Sequence, residues 1–437
     1  MPSGTSPVVY SAQRMSLPRS AVFLALGAIV WPSCGGGESA TSAGTSAVTK
    51  PTPAAAASIP PAPLNSSAEA SKAGSADTSQ KGTFDPGAEY DKGAALAAAR
   101  RFAEANQVFE EAARRAPTDG ALAAAVAIFG DLAAKRISED VVQRLFRVTE
   151  HANAQRWAEA YADVDEAISL APGYPRAHGA RGTLLLEQGK SADALKAFEQ
   201  VVKLDPEFAE GYYNRGAARA ALNQYDAAIA DYTRAIELQP DTWYAYANRG
   251  TAFLNRAMAG DNPQDAKDAL ADFTKAHELN PDAIEPLYQR GVLYALAEEW
   301  AAAAADFTIV IERDASFALA SYNRGLAYQN LGDADRAVAD YTKAIEIDPA
   351  DAKPLINRGM LHARQKSYER AIADYDKAAS LAPSLLNPYF NKGQALEQMG
   401  RRKEAAAEYR IVVEKAGKND HALAGLARQR LAEIEKP

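Results

Sequence analysis

The sequence predicts an all-α solenoid of about nine antiparallel helix pairs, closed at its C-terminus by a capping helix. Three observations carry this. A Pro recurs at 172, 206, 240, 281, 349 and 383, and four of the five gaps are multiples of 34 residues. With that Pro numbered 32, Ala fills position 20 in nine units: Ala105, Ala160, Ala194, Ala228, Ala269, Ala303, Ala337, Ala371 and Ala405. Position 8 is Gly in eight units (Gly93, Gly182, Gly216, Gly250, Gly291, Gly325, Gly359 and Gly393), with Val148 the exception. Self-similarity at such a period marks a stack of supersecondary units, each burying its apolar face on the next.

Each unit reads as two helices. Gly inside a helix costs about 1 kcal/mol relative to Ala, so its recurrence calls for close helix approach. Positions 20, 24 and 27 lie on one face at helical spacing. Position 24 is aromatic in eight units (Phe109, Phe198, Tyr232, Phe273, Phe307, Tyr341, Tyr375, Tyr409), and position 27 is Ala or Val. The Pro at 32 stops the second helix.

This pattern resembles the tetratricopeptide repeat: small residues at 8, 20 and 27, an aromatic at 24 and Pro at 32. The resemblance implies a right-handed superhelix. The units read 86–119, 141–174, 175–208, 209–242, 243–283, 284–317, 318–351, 352–385 and 386–419, so that eight run through 141–419. The Trp expected at position 4 is often Tyr (Tyr212, Tyr246, Tyr389), and Ala315 and Gly417 stand where Pro is expected. Residues 120–140 break the period, and Ala121–Lys135 reads as an extra helix. The 243–283 unit holds seven extra residues around Ala259–Pro263, read as a loop insertion between its helices because Gly and Asn-Pro are turn chemistry. In 420–437, Leu423, Leu426, Leu431 and Ile434 form an apolar stripe for a capping helix.

The front end is different. Ala21–Trp31 is an apolar run of 11 residues, too short to span a bilayer and suited to a signal-peptide core flanked by Arg14 and Arg19. The only Cys, Cys34, follows it closely, so residues 1–34 resemble a bacterial lipoprotein signal in which Cys34 carries lipid. Trp31 and Pro32 depart from that pattern, and ordinary secretion is the alternative. Residues 35–85, rich in Ala, Ser, Gly, Thr and Pro, have too little apolar content to fold and read as a tether. A formal charge of −8 with no basic stripe argues against nucleic acid as a partner.

Within the repeats, position 6 is an amide in six consecutive units: Asn214, Asn248, Gln289, Asn323, Asn357 and Asn391. The resemblance places position 6 on the concave groove, where an amide can both donate to and accept from a peptide backbone. Two readings fit: a ladder for an extended polypeptide, or hydrogen bonds that stiffen the stack. Position 5 is bulky (Tyr213, Tyr288, Tyr322, Ile356, Phe390), which fits either groove pockets or packing against a neighbouring helix. Position 7 is cationic where position 23 is acidic: Arg147/Asp163, Arg215/Asp231, Arg249/Asp272, Arg290/Asp306, Arg324/Asp340, Arg358/Asp374 and Lys392/Glu408, with Arg181 opposite Ala197 an exception. An ion pair clipping the two helices is expected. The carboxylate clamp of chaperone-tail-binding relatives is disfavoured, because Glu210, Tyr213, Asn214 and Glu285 occupy its positions.

The five His are scattered and no Gly-rich phosphate loop is present, so no catalytic residue, metal site or cofactor is expected. The expected function is a non-enzymatic scaffold, lipid-anchored in the bacterial envelope facing the periplasm, binding a protein or peptide in its groove, as in envelope assembly. The alternatives are a self-associating structural module and a regulatory adaptor for a docked envelope enzyme.

Overall fold

The computed structural model describes residues 84–117, 119–260, 262–417 and 422–436. The signal, Cys34 and nearly all of the expected tether lie outside these. The described residues form twenty α-helices, and no strand occurs among them. They divide into two compact units, 84–286 and 287–436.

The first unit begins earlier than the repeat pattern. Asp85, assigned to the tether by sequence, caps α1 (Pro86–Ala98) by accepting from the Gly87 amide at 2.9 Å. Helix α1 pairs with α2 (Phe102–Arg115), and the extra helix α3 (Gly120–Ala133) follows. Four more hairpins complete the unit: α4 (Glu139–Asn153) with α5 (Trp157–Leu170), α6 (Pro175–Glu187) with α7 (Ser191–Leu204), α8 (Ala209–Ala221) with α9 (Tyr225–Leu238), and α10 (Trp243–Gly260) with α11 (Pro263–Leu279). The second unit contains α12 (Glu285–Leu296) through most of its length, α13 (Trp300–Arg313), α14 (Ala318–Asn330), α15 (Ala334–Ile347), α16 (Ala352–Arg364), α17 (Tyr368–Leu381), α18 (Asn387–Gln398), α19 (Arg402–Ala416) and the cap α20 (Ala422–Ile434).

The recurring Gly has a direct cause. A Cβ on Gly93 or Gly182 would stand 2.6 Å from the position 24 ring of the same unit, and on Gly359 or Gly393 2.7 Å. All eight such glycines would place a Cβ under 3.0 Å from that ring. The rings themselves are fully buried, as in Phe109, Phe198 and Tyr341. The exception obeys the same rule: the one unit with Val148 at position 8 carries Val164 at position 24, and both are buried. Small-against-large packing is conserved in volume even where the residues change.

In eight of the nine hairpins the turn passes through a left-handed residue at position 15; in the 243–283 unit that place lies inside α10. Gly189, Gly332 and Gly400 occupy it, and so do Arg100, Gln155, Asn223, Glu298 and Lys366, with φ between 56° and 82° throughout. The residue after it closes a six-to-one backbone bond, as from Gln224 N to Arg219 O at 2.9 Å.

Two expectations are corrected. The seven extra residues of the 243–283 unit do not make a loop. They lengthen both helices, giving α10 18 residues and α11 17, where most of the repeat helices have 13 or 14. Asn262 supplies the turn by capping the Gln264 amide, and Arg256 grips Asp265, which is 1% exposed, at 2.7 Å. In α20 the buried stripe runs through Leu423, Ala427, Leu431 and Ile434, while Leu426 is 44% exposed.

Helix α3 breaks the nearest-neighbour rule of solenoids. Its Leu122, Ala125 and Phe129 bury against the first hairpins, with Phe129 5.8 Å from both Phe109 and Phe146. Both of its ends reach further along the stack. The Tyr174 hydroxyl donates to Asp131 at 2.7 Å, and the Gly120 backbone lies against Tyr244 of α10.

Candidate functional site

The position 7 cation meets the position 23 acid in all seven units where both occur. The distances are 3.3 Å for Arg147–Asp163, 2.7 Å for Arg215–Asp231, 2.8 Å for Arg249–Asp272, 2.8 Å for Arg290–Asp306, 2.7 Å for Arg324–Asp340, 2.7 Å for Arg358–Asp374 and 2.9 Å for Lys392–Glu408. The five pairs from Arg215 to Arg358 are bidentate, which fixes orientation as well as distance. Hydrogen bonding to Asp231 raises the Arg215 pKa, while burial raises that of Asp272 despite Arg249 beside it.

The same cation does a second thing, which sequence reasoning missed. It reaches position 25 of the preceding unit: Arg249 donates to Thr233 at 3.0 Å, Arg324 to Thr308 at 3.2 Å, Arg358 to Thr342 at 3.0 Å and Lys392 to Asp376 at 2.6 Å. Thr308 and Thr342 in turn donate to carbonyls four residues back, at 2.7 and 2.8 Å, which aims their oxygen lone pairs at the Arg. Arg181, which has no acid in its own unit, pairs with Asp165 at position 25 before it. At Arg249, Arg324, Arg358 and Lys392 the cation thus closes its hairpin and fastens it to the one before. In the degenerate 141–174 unit, Arg144 at 2.5 Å and His151 Nδ1 at 3.1 Å also crowd the buried Asp163.

The amides divide by what stands 35 residues upstream. Where that residue is Tyr, the amide donates to its hydroxyl: Asn248 to Tyr213 at 2.6 Å, Asn323 to Tyr288 at 3.1 Å and Asn357 to Tyr322 at 3.3 Å. Asn357 also donates to Tyr341 at 3.4 Å, and Tyr341 donates to Gln329 at 3.0 Å, linking two units in one chain of bonds. Burial pushes the Tyr322 phenol up to about 12, so it remains a neutral hydroxyl. The stack-stiffening role therefore holds at these three. Asn214 has Gly179 at that place in the sequence and keeps a buried Oδ1 without partner among the described residues. Asn391 has Ile356 as its counterpart, and Gln289, 9% exposed, has Ala247 as its counterpart across the insertion. Asn248 and Gln289 are buried, which removes them from any open ladder.

Three of the five position 5 residues lie in the core rather than in groove pockets. Tyr213, Ile356 and Phe390 are buried at 2%, 8% and 6% exposure. The reason is geometric: position 5 packs on the position 24 ring of its own hairpin, with centroids 5.8 Å apart in Tyr213–Tyr232, Tyr288–Phe307 and Tyr322–Tyr341, and 5.5 Å in Phe390–Tyr409. Tyr288 and Tyr322 are half-buried, with hydroxyls already accepting from the amides.

Among the described residues, no group of three or more His, Cys, Asp or Glu is placed to hold a metal, and no helix is long and apolar enough to cross a membrane.

Family models of the tetratricopeptide repeat match residues 147–206, 180–242, 213–257, 318–351, 352–385 and 386–414. Over those residues the helix pairs are tetratricopeptide repeats, a family whose members are generally non-catalytic scaffolds for protein–protein interaction. No curated protein matches the chain. Among solved structures it is similar to YrrB, described as a tetratricopeptide-repeat protein with an unusual peptide-binding site (24% identity, 46% of this chain and 97% of that chain, TM-score 0.38). It is also similar to a tetratricopeptide-repeat protein from Parabacteroides merdae (20% identity, 61% and 99% covered, TM-score 0.41). A third is the C-terminal part of a repeat-containing protein from Cytophaga hutchinsonii (17% identity, 56% and 98% covered, TM-score 0.48).

Proposed function

We propose that this chain is a membrane-tethered, non-catalytic scaffold that holds an extended polypeptide along the amides of its C-terminal unit. The observation that supports this is the set of amide atoms left over once the stack is bonded. Asn323 and Asn357 each spend donors on Tyr hydroxyls, while among the described residues no hydrogen bond engages their Oδ1 atoms or Asn391. These three stand on half-buried side chains at the same position of consecutive units. A fixed, repeated acceptor suits the N–H groups of a strand-like ligand. The Tyr–Asn bonds preorganise two of these acceptors, which lowers the ordering cost of binding.

Lipid on Cys34 anchors the scaffold at the bacterial envelope, with the segment after it as tether. Each amide–backbone bond contributes about 0.5–1.5 kcal/mol, so three together control about one to three orders of magnitude in affinity. Photo-crosslinking from position 360, one helical turn from Asn357, captures the partner in native membranes. The triple change of Asn323, Asn357 and Asn391 to Ala is expected to abolish that capture with helicity unchanged. Undiminished capture refutes the amide role, and unaltered membrane fractionation of Cys34→Ala refutes the anchor.

A further inference from the structure

The turns that join paired helices in the second unit change sign along the stack. The turn of the 284–317 hairpin carries Glu298 and Glu299 with no cation, and that of 318–351 carries Asp333, Asp335 and Arg336. The next two turns are basic. Residues 364–370 hold Arg364, Lys366 and Arg370 against Glu369, and residues 398–404 hold Arg401, Arg402 and Lys403 against Glu404. All of these basic and acidic residues of 364–370 and 398–404 are exposed. The turns stand side by side at one edge: Gln365 donates to Asp335 of the preceding turn at 3.5 Å, and the charge of Glu369 acts on Arg401 of the following one. The formal charge of −8 conceals this rim, because its six cations come from two segments one repeat apart.

The acids do not cancel it. Arg401 holds Glu404, at 2.7 Å, and Glu369 bears on the same guanidinium. Lys366, Arg370, Arg402 and Lys403 make no ion pair among the described residues. Counting Glu369, Glu404 and the neighbouring Asp335 as fully charged still leaves six cations facing three acids. The last turn also works against its own helix. Arg401, Arg402 and Lys403 occupy the N-cap and first two positions of α19, where the helix dipole disfavours cations. Helix α15, by contrast, starts on Asp333, which accepts from the Arg336 amide at 3.0 Å. Cations held against that preference are accounted for by an anionic partner outside the chain.

We propose that this rim, formed by 364–370 and 398–404, is a membrane-contact surface for anionic phospholipid headgroups, separate from the amide row. The proposal rests on the reading of the chain as tethered at a membrane, since a tether keeps the rim near lipid and lets a weak contact suffice. The one aromatic residue of the two segments, Tyr368, packs into the core beside Ala371 and Tyr375, so no ring is free to stack on a nucleic-acid base. Long cationic side chains on exposed turns fit a diffuse array of anions. Each Lys or Arg brought to an anionic bilayer strengthens binding about fivefold.

The test uses the full chain with Cys34→Ala, so that no attached lipid contributes, and vesicles of phosphatidylcholine with or without phosphatidylglycerol. Flotation should show clear preference for the anionic vesicles, and about 1 M salt should erase it. Lys366→Gln, Arg370→Gln, Arg402→Gln and Lys403→Gln together should lower partitioning onto those vesicles about a hundredfold or more. Lys203→Gln, Lys275→Gln, Lys343→Gln and Lys377→Gln together remove the same charge from exposed helix positions and should leave partitioning nearly unchanged. All eight positions are exposed, and circular dichroism checks that both variants keep their helicity. No preference between the vesicles, wild-type binding by the rim variant, or equal loss in both variants overturns the proposal. Rim-dependent binding of polyglutamate or duplex DNA without any vesicle preference assigns the rim to another polyanion and overturns it equally. The chain tested carries no lipid, so failure of the Cys34 anchor leaves this readout standing and the two readings fail separately.

Discussion

Replacing Tyr213 with Phe isolates one rung of the stack. The ring is 2% exposed and packs on Tyr244 and Tyr232, with centroids at 4.8 and 5.8 Å, and Phe preserves both contacts. What is lost is the hydroxyl that accepts from Asn248 at 2.6 Å. Asn248 is 4% exposed, so water cannot readily replace that acceptor. Leaving a buried donor unsatisfied costs about 1–3 kcal/mol, whereas making both partners apolar can be nearly neutral. Tyr213→Phe should therefore cost about 1–3 kcal/mol, and adding Asn248→Leu should recover part of it. Tyr322→Phe is the control. Its bond to Asn357 is 3.3 Å, Asn357 is half-buried, and Tyr341 stands ready at 3.4 Å, so the cost should stay below about 1 kcal/mol. Unfolding of a long repeat array departs from two-state behaviour. Native-state hydrogen exchange of the amides in α8 and α10, against those in α14 and α16, reads each site separately. Equal loss of protection at both sites, or no recovery in the double variant, would refute the argument.

Three further outcomes follow from the same geometry. Gly359→Ala drives a Cβ to 2.7 Å from the Tyr375 ring and should cost about 1–3 kcal/mol in denaturant titrations, while Gly425→Ala, with nothing within 4 Å, should stabilise by up to about 1 kcal/mol. Glu298→Gly, at φ 60°, should raise stability by about 1 kcal/mol, and Gly332→Ala, at φ 82°, should lower it by a similar amount; thermal melts of the pair check the sign. Asp340→Ala strands a mostly buried Arg324 and should cost about 3 kcal/mol, whereas Arg181→Ala, in a half-exposed pair, should cost under about 1 kcal/mol by chemical denaturation.

What the sequence disclosed follows from how far apart the interacting residues lie. The clip between positions 7 and 23 sits within one unit, and its partners vary together, down to Lys392 with Glu408. The bond from position 7 to position 25 crosses a unit boundary and accepts either Thr or Asp, so no single residue type marks it. The role of each amide depends on a residue 35 places earlier, and a row of Asn looks the same whether Tyr213, Gly179 or Ile356 stands there. A bulky position 5 is equally compatible with groove or core, and only the packing against the position 24 ring decides. Gly260 and Asn262-Pro263 correctly marked a turn, but turn residues carry no record of how long the flanking helices are.

The two-way grip of the position 7 cation bears on how such an array can change its number of repeats. Excising 318–351 would bring Thr308 beside Arg358, the same pairing of hydroxyl and guanidinium that Arg358 now makes with Thr342. Excising 352–385 would instead set Thr342 beside Lys392 and discard Asp376, exchanging a charged junction for a neutral one. Repeats joined through Thr and Arg are therefore interchangeable links that a duplication or deletion can add or remove without a mismatch. The last junction, built on Asp376 and Lys392, is a matched terminal coupling, and the unit beyond it is bound to the one before as a pair.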